Sequence, residues 1–402
     1  MDKGVICARC RYVAESPECV EERSVCRSII GALRQAVAPQ VGVEKIAVAR
    51  DILWARIEND YLGYLRGTKR GSIIYVFGQY GQGKTFFCNF VRDKAWRLWD
   101  KGFATSYVEV KRFEEFGDYV GLYRKIVRNI RFPQSNITGV RQIFDTFTCR
   151  ASNKSELENL LSEYEVNDTV AKLVRFYFTG DERVKDAVID WVRGEHQMRA
   201  DKLHLIDRKG FQKIREDDVD AHLCGINSMI KGAGYVGLVV FFDEAEVRDR
   251  PYDPREIFGA LRVVKYLHNR VNNDPRFTQL VFLVAGTLDL WTDRMVKDEA
   301  LRQRIDPIWE QLNPLTENNY IDLYTKIIDA YDCCFQTNLS ERVTRNDLKK
   351  WVHVVVNAKG GVIEMLTPRD FISQYPTSQT SFMEKLDVLR RDPSRTGNDV
   401  FV

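Results

Sequence analysis

The stretch that most constrains this chain runs from Gly71 to Asp100, GSIIYVFGQYGQGKTFFCNFVRDKAWRLWD. Ile73 to Phe77 is an apolar, β-favouring run and predicts a short buried strand. Next come Gly78, Gln79, Tyr80, Gly81, Gln82, Gly83, Lys84 and Thr85. Phe86, Phe87, Phe90, Val91 and Trp99 then predict an amphipathic helix. The eight residues fill G-x-x-x-x-G-K-[ST] completely, in the strand–loop–helix setting that the pattern requires. Gly78, Gly81 and Gly83 let the backbone wrap closely enough for its N–H groups to face phosphate oxygens. The helix start adds a positive dipole end at the same place. Lys84 is expected to reach the β- and γ-phosphates of ATP, and Thr85 to offer its hydroxyl to Mg²⁺. Gln79, Tyr80, Gln82 and Phe86 complete the stretch expected to line the nucleotide. The alternative is a glycine-rich turn that binds nothing, and a complete octet with correct flanks argues against it.

A second signal lies at Tyr235 to Glu244, YVGLVVFFDE. A continuous apolar run suits a strand buried on both faces of a parallel sheet. It ends in two carboxylates. Asp243 is expected to hold Mg²⁺ through water, and Glu244 to orient or deprotonate the attacking water. Adjacent strand residues point to opposite sides, which allows the two acids separate roles. Glu246 either supports them or is solvated. Leu280 to Ala285 predicts another buried strand, followed by Gly286, Thr287 and Asp289. Thr287 is the candidate sensor of the γ-phosphate, with an ordinary strand-end turn as the alternative. Arg302 and Arg304 follow in ALRQRIDP. Arg304 reads as an arginine finger toward a neighbouring subunit, which implies a homo-oligomer, or as a structural helix-end residue. Arg369 follows Pro368 in the first turn of a helix. It can reach back to the γ-phosphate or pack on the surface.

Composition excludes little. The chain has 402 residues, 44% hydrophobic and 29% charged, enough for a sizeable core. A net charge of +3 gives no global field toward nucleic acid or membrane. No apolar run approaches membrane-spanning length and the N-terminus lacks a signal-peptide layout, so a soluble cytoplasmic protein is expected. In that compartment cysteines serve as thiols or ligands more often than as disulfides. Cys7, Cys10, Cys19 and Cys26 crowd the first 26 residues. Cys7-x-x-Cys10 is a usable zinc half-site, but the wider Cys19/Cys26 spacing departs from a knuckle. Unligated thiols on a short tail, or two disulfides, are the alternatives.

Periodicity divides the chain into a Cys-rich segment (1–26), a helical lead-in (27–70), a first core part (71–132), a helical insertion (133–232), a second core part (233–315) and a helical lid and tail (316–402). Within these, Ala104 to Val110 predicts a strand and residues 114–131 a helix bearing Arg124, Lys125, Arg128 and Arg131. That stripe meets phosphates or, more commonly, water. Lys202, Arg208, Lys209, Lys213 and Arg215 make a loose basic stretch near Phe211 that can contact a partner or nucleic acid. Cys333-Cys334 reads as core, and the tail from Asp392 as loose.

The loop octet, GYVGLVVFFDEAE, LVFLVAGTLDL, ALRQRI and LTPRDF resemble, in that order and at similar separations, the ATP-binding proteins of BREX-type phage-defence systems. The resemblance extends from roughly residue 27 to residue 390 and includes Trp191-Val-Arg-Gly194. The cysteine-rich N-terminus and the short stretch before the insertion depart from it. It implies an AAA-like P-loop ATPase of the origin-recognition branch, acting in antiviral defence beside a superfamily-2 helicase and on or near DNA. On this basis Gly78 to Thr85, Asp243 and Glu244 carry over as the nucleotide site, with Thr287, Arg304 and Arg369 following. The expected architecture is α/β: a parallel-sheet P-loop NTPase with a helical insertion and a C-terminal helical lid. The rival readings are a DNA-binding initiator or loader of the same fold class and a non-hydrolysing, nucleotide-gated scaffold.

Overall fold

The computed structural model describes residues 16–66, 70–99, 101–110, 113–133, 139–194, 214–245, 254–305, 309–359, 361–363, 366–372 and 381–401. They form a mixed α/β structure with one six-stranded, mostly parallel sheet. The strands are β1 (Ser72–Gly78), β2 (Ala104–Glu109), β3 (Ile130–Arg131), β4 (Leu238–Ala245), β5 (Leu280–Thr287) and β6 (Trp309–Gln311). Their order is β3-β2-β4-β5-β1-β6. β4 runs parallel to both β2 and β5, while β3 is antiparallel to β2. Leu238–Phe242 and Leu280–Ala285 are wholly buried. Their unbroken apolar sequence follows from having a covered surface on both faces.

The chain divides into two compact units. The first, Arg56–Phe77 with Lys94–Glu310, carries the sheet. Between β3 and β4 it passes through the helices Arg141–Thr148, Lys154–Glu163, Asp168–Thr179, Glu182–Val192 and Val219–Gly232. Three of them start on an Asx residue, Asn153, Asn167 or Asp181, whose side chain accepts from the backbone N–H three residues on. Such a cap contributes about 1 kcal/mol. The apolar faces of these helices join the same core cluster as the sheet.

The stretch 114–131, expected as one helix, is divided. A 3₁₀ turn at Phe113–Gly117 precedes the helix Tyr119–Arg128, and Ile130–Arg131 becomes β3. Asp118 causes the break: its side chain caps Gly121 N–H while its backbone leaves the helical region (φ −91°, ψ 81°). Lys125, part of the basic stripe, pairs with Glu115.

His222 in this unit supplies a pH test. It is 2% exposed, beside the rings of Tyr123 and Trp191, and its Nδ1 has no hydrogen-bond partner among the described residues. Burial pushes its pKa down from 6.5 to about 4, against a smaller opposing pull from Asp218. The unfolded chain therefore takes up this proton as pH falls through 6.5, and the folded chain only near 4. Stability from this group is fully present above 6.5 and is lost as pH drops toward 4. Between pH 7 and 5 the parent should lose roughly 2 kcal/mol more in urea unfolding than a His222→Phe variant. Equal losses in the two proteins would remove His222 as the cause.

The second unit, Met1–Ala55 with Gly78–Asp93 and Gln311–Val402, is helical in its described parts. Helix Pro17–Arg34 lies against helix Glu317–Phe335 and joins a second core cluster through Cys26, Ile29, Ile30 and Leu33. Ser16 caps the first helix and Thr316 boxes the second with Asn319. Cys19 and Cys26 are therefore buried helix residues and not part of a tail. Cys333 and Cys334 lie in the core as expected. Val37 and Ile52, apolar residues of the lead-in, are exposed. The first helix ends at Arg34, before Val37, and the short helix Asp51–Arg56 buries Trp54 instead. The C-terminal tail is also ordered. Thr396 and Asp399 box the turn Gly397–Val400, and Phe401 is buried against Phe382 and Trp351. The buried Phe401 ring, with Arg342 donating to the Asp392 and Arg395 carbonyls and Lys385 to the Val400 carbonyl, thus anchors a polar segment that composition marks as loose. Among the described residues no helix is long and apolar enough to cross a membrane.

Candidate functional site

The glycine-rich octet leaves β1 and enters the helix Lys84–Arg97. Gly81 and Gly83 have φ of +81° and +87°, a region side chains disfavour. At Gly81 a Cβ would also come within 2.7 Å of Thr367 Oγ1. At Gly78 the constraint is crowding, since a Cβ would lie 3.0 Å from Gln82 Oε1 and 3.2 Å from Leu312. Gln82 shapes the curl: its Oε1 accepts from Gln79 N–H at 2.6 Å. Lys84 Nζ donates to the carbonyls of Gly78 (3.2 Å) and Gln79 (3.1 Å), so its ammonium is folded over the loop. Phe86 packs on the helical core, and Tyr80 stands exposed.

Arg369 is at this loop. It sits in the short helix Pro368–Ile372, its guanidinium 5.5 Å over the Tyr80 ring, and Nη1 donates to Tyr80 Oη at 2.7 Å. That helix is fixed from beneath: Tyr320 Oη donates to Leu366 carbonyl and Tyr324 Oη to Phe371 carbonyl, both at 3.0 Å. The helix after the loop is held by Asn89, which donates to Pro39 carbonyl at 2.9 Å, and by Arg92, which donates to Gln40 carbonyl. Arg50 was not singled out from sequence. Its buried guanidinium reaches the Gln82 carbonyl at 3.4 Å, and burial lowers its pKa. An arginine in a polar lead-in carries no local signal for that role.

In the sheet unit, Asp243 is 1% exposed. Tyr107 of β2 donates its hydroxyl to Asp243 Oδ2, while Oδ1 has no hydrogen-bond partner among the described residues. A buried carboxylate oxygen left without a donor is costly unless a cation takes it. The residue therefore fits a divalent ion. Phe242 pairs with Val284 and Ala245 with Gly286, so β4 carries one extra residue at Asp243-Glu244. Such bulges re-aim side chains. The strict alternation expected of these two acids is thus interrupted. The side chain of Glu244 lies outside the described residues, as do Glu246 and the basic stretch Lys202, Arg208, Lys209, Phe211 and Lys213. Tyr107 escaped sequence reading because an aromatic residue in ATSYVEV is an ordinary strand former.

Thr287 ends β5, which lies between β4 and β1 in the sheet. Its hydroxyl caps the turn Leu288–Leu290, accepting from Leu290 N–H at 3.4 Å. Arg304, on helix Glu299–Ile305, donates to Asn269 Oδ1 at 3.1 Å and to Ala300 carbonyl. Both arginine contacts are within its own unit. Cys7 and Cys10 lie outside the described residues. Cys19 Sγ accepts from Arg23, while Cys26 faces Glu22 and Cys333.

No curated protein matches the chain. The sequence profile of the BREX system ATP-binding protein BrxC/D family matches residues 22–163 and 150–400, which together span both units and all six strands. On that coverage the chain belongs to the BREX system ATP-binding protein BrxC/D family.

Proposed function

We propose that this protein binds ATP with Mg²⁺ and hydrolyses it in a BREX defence system. The observation that carries the reading is the curled octet, with two positive-φ glycines and the Lys84 ammonium folded across its carbonyls. A loop so arranged is ready to exchange its own carbonyls for phosphate oxygens. Lys84 and the loop amides hold the β- and γ-phosphates, and Thr85 offers its hydroxyl to magnesium. Asp243 offers magnesium its Oδ1, and Glu244 acts as general base. The chemistry that bound magnesium would supply is neutralisation of the charge that develops on the phosphates. Thr287 senses the γ-phosphate. Arg369 turns from Tyr80 toward the phosphates, and Arg304 acts on a neighbouring subunit's nucleotide. The sheet order supports this reading, since the strand ending at Thr287 separates the strand feeding the loop from the strand that carries Asp243.

A superfamily-2 helicase partner and DNA complete the proposal. Calorimetry with ATP and magnesium, together with phosphate release with and without DNA, tests it. Saturable ATP uptake and magnesium-dependent turnover are expected. Folded protein that takes up no nucleotide would end the reading, and tight uptake without turnover would leave the nucleotide-gated scaffold in its place.

A further inference from the structure

We infer that Glu22, Cys26 and Cys333 form a binding site for a soft divalent cation of the zinc class, separate from the nucleotide loop. Glu22 and Cys26 are four residues apart on helix Pro17–Arg34, so they share one face. Cys333 comes from helix Glu317–Phe335, packed against it in the same unit. The carboxylate and the two thiols bring one ligand atom each to within 4.8 Å of one another. Zinc–sulfur bonds of about 2.3 Å in a tetrahedral site put ligand atoms roughly 3.8 Å apart. The donors therefore need to close by no more than about 1 Å. Both cysteines are buried, which protects a thiolate site from exchange.

Charge explains why all three donors and a nearby lysine belong together. Lys45 pairs with Glu22. A carboxylate has two oxygens, so Glu22 can keep that partner and still bind a metal. Two thiolates, one carboxylate, one ammonium and one divalent ion sum to zero, which is what a mostly buried cluster requires. Binding replaces the two thiol protons with the metal, so two protons are released and no redox agent is needed. A water takes the fourth position. Neither a plain apolar contact nor a disulfide between Cys26 and Cys333 would have use for Glu22 and Lys45. The adjacent Cys334 is turned to another partner, Arg27. The bound ion would clip the N-terminal helix to the C-terminal helices of its unit.

The test uses full-length protein expressed with zinc, dialysed against a weak chelator and assayed for metal. About one zinc ion per chain is expected in the parent, in Cys334→Ser and in the Cys7→Ser/Cys10→Ser double variant, and none in Cys26→Ser or Cys333→Ser. Circular dichroism establishes that these variants fold. Should they not fold, Co²⁺ titration of the metal-free parent decides, because two thiolate ligands give a strong near-ultraviolet charge-transfer band. Metal retained by Cys333→Ser but lost from the Cys7/Cys10 variant would overturn the assignment. So would metal-free parent protein with no cobalt band, or one whose Cys26 and Cys333 are joined as a disulfide.

Discussion

Replacing Lys84 with Ala should lower ATP turnover by roughly 10²–10³-fold, the usual loss when a preorganised donor to a charged transition state is removed. Affinity for ATP should fall as well. Lys84 is 7% exposed, and its ammonium is held by two loop carbonyls contributed by Gly78 and Gln79. In the parent those carbonyls pre-position a full positive charge over the concave side of the loop, so little reorganisation remains when phosphates arrive. Alanine removes the charge and leaves the glycine geometry, because the positive φ at Gly81 and Gly83 does not depend on the side chain. The variant should therefore fold with an unchanged circular dichroism spectrum. Lys84→Arg should not restore activity, since a planar fork is bulkier than an ammonium and matches neither carbonyl spacing nor a single phosphate position. Calorimetry and phosphate release at saturating magnesium measure both effects. A Lys84→Ala protein with the parent's affinity and rate would mean that the loop is not where the nucleotide sits.

The loop could be read from sequence because its chemistry is local. Glycines at fixed offsets, a lysine and a hydroxyl residue must follow one another for the curl to form, so eight consecutive letters carry the geometry. Strands β1, β4 and β5 were legible for a similar reason, since burial on both faces demands an unbroken apolar run. What could not be read depends on residues distant in the chain. Tyr107 meets Asp243 only because β2 lies beside β4, and Arg50 meets Gln82 across thirty-two positions. Phe401 is buried by rings at 351 and 382 that its own polar neighbourhood does not announce. The helix expected across 114–131 failed at one residue, where Asp118 competes for the backbone more effectively than apolar periodicity holds it. The bulge at Asp243-Glu244 is likewise a property of pairing with β5 and not of the letters.

That bulge bears on the second large effect. Glu244→Gln should leave ATP binding near the parent value and reduce turnover by roughly 10²–10⁴-fold, the range for loss of a general base. Asp243→Asn should act differently. Tyr107 already donates to one oxygen of Asp243, and the other is buried with no donor among the described residues. An amide there keeps the shape but removes the charge that a divalent ion would meet, so the magnesium concentration needed for half-maximal rate should rise. The two variants separate binding of the ion from activation of water, roles that adjacent acids on a regular strand would take by pointing apart. With an extra residue inserted opposite β5, the chain can instead turn either acid individually. Phosphate release across a magnesium titration, run on both variants beside the parent, distinguishes these outcomes. Parent-like turnover in Glu244→Gln would strip Glu244 of its role. An unchanged magnesium requirement in Asp243→Asn would leave the buried oxygen of Asp243 without the cation that its environment calls for.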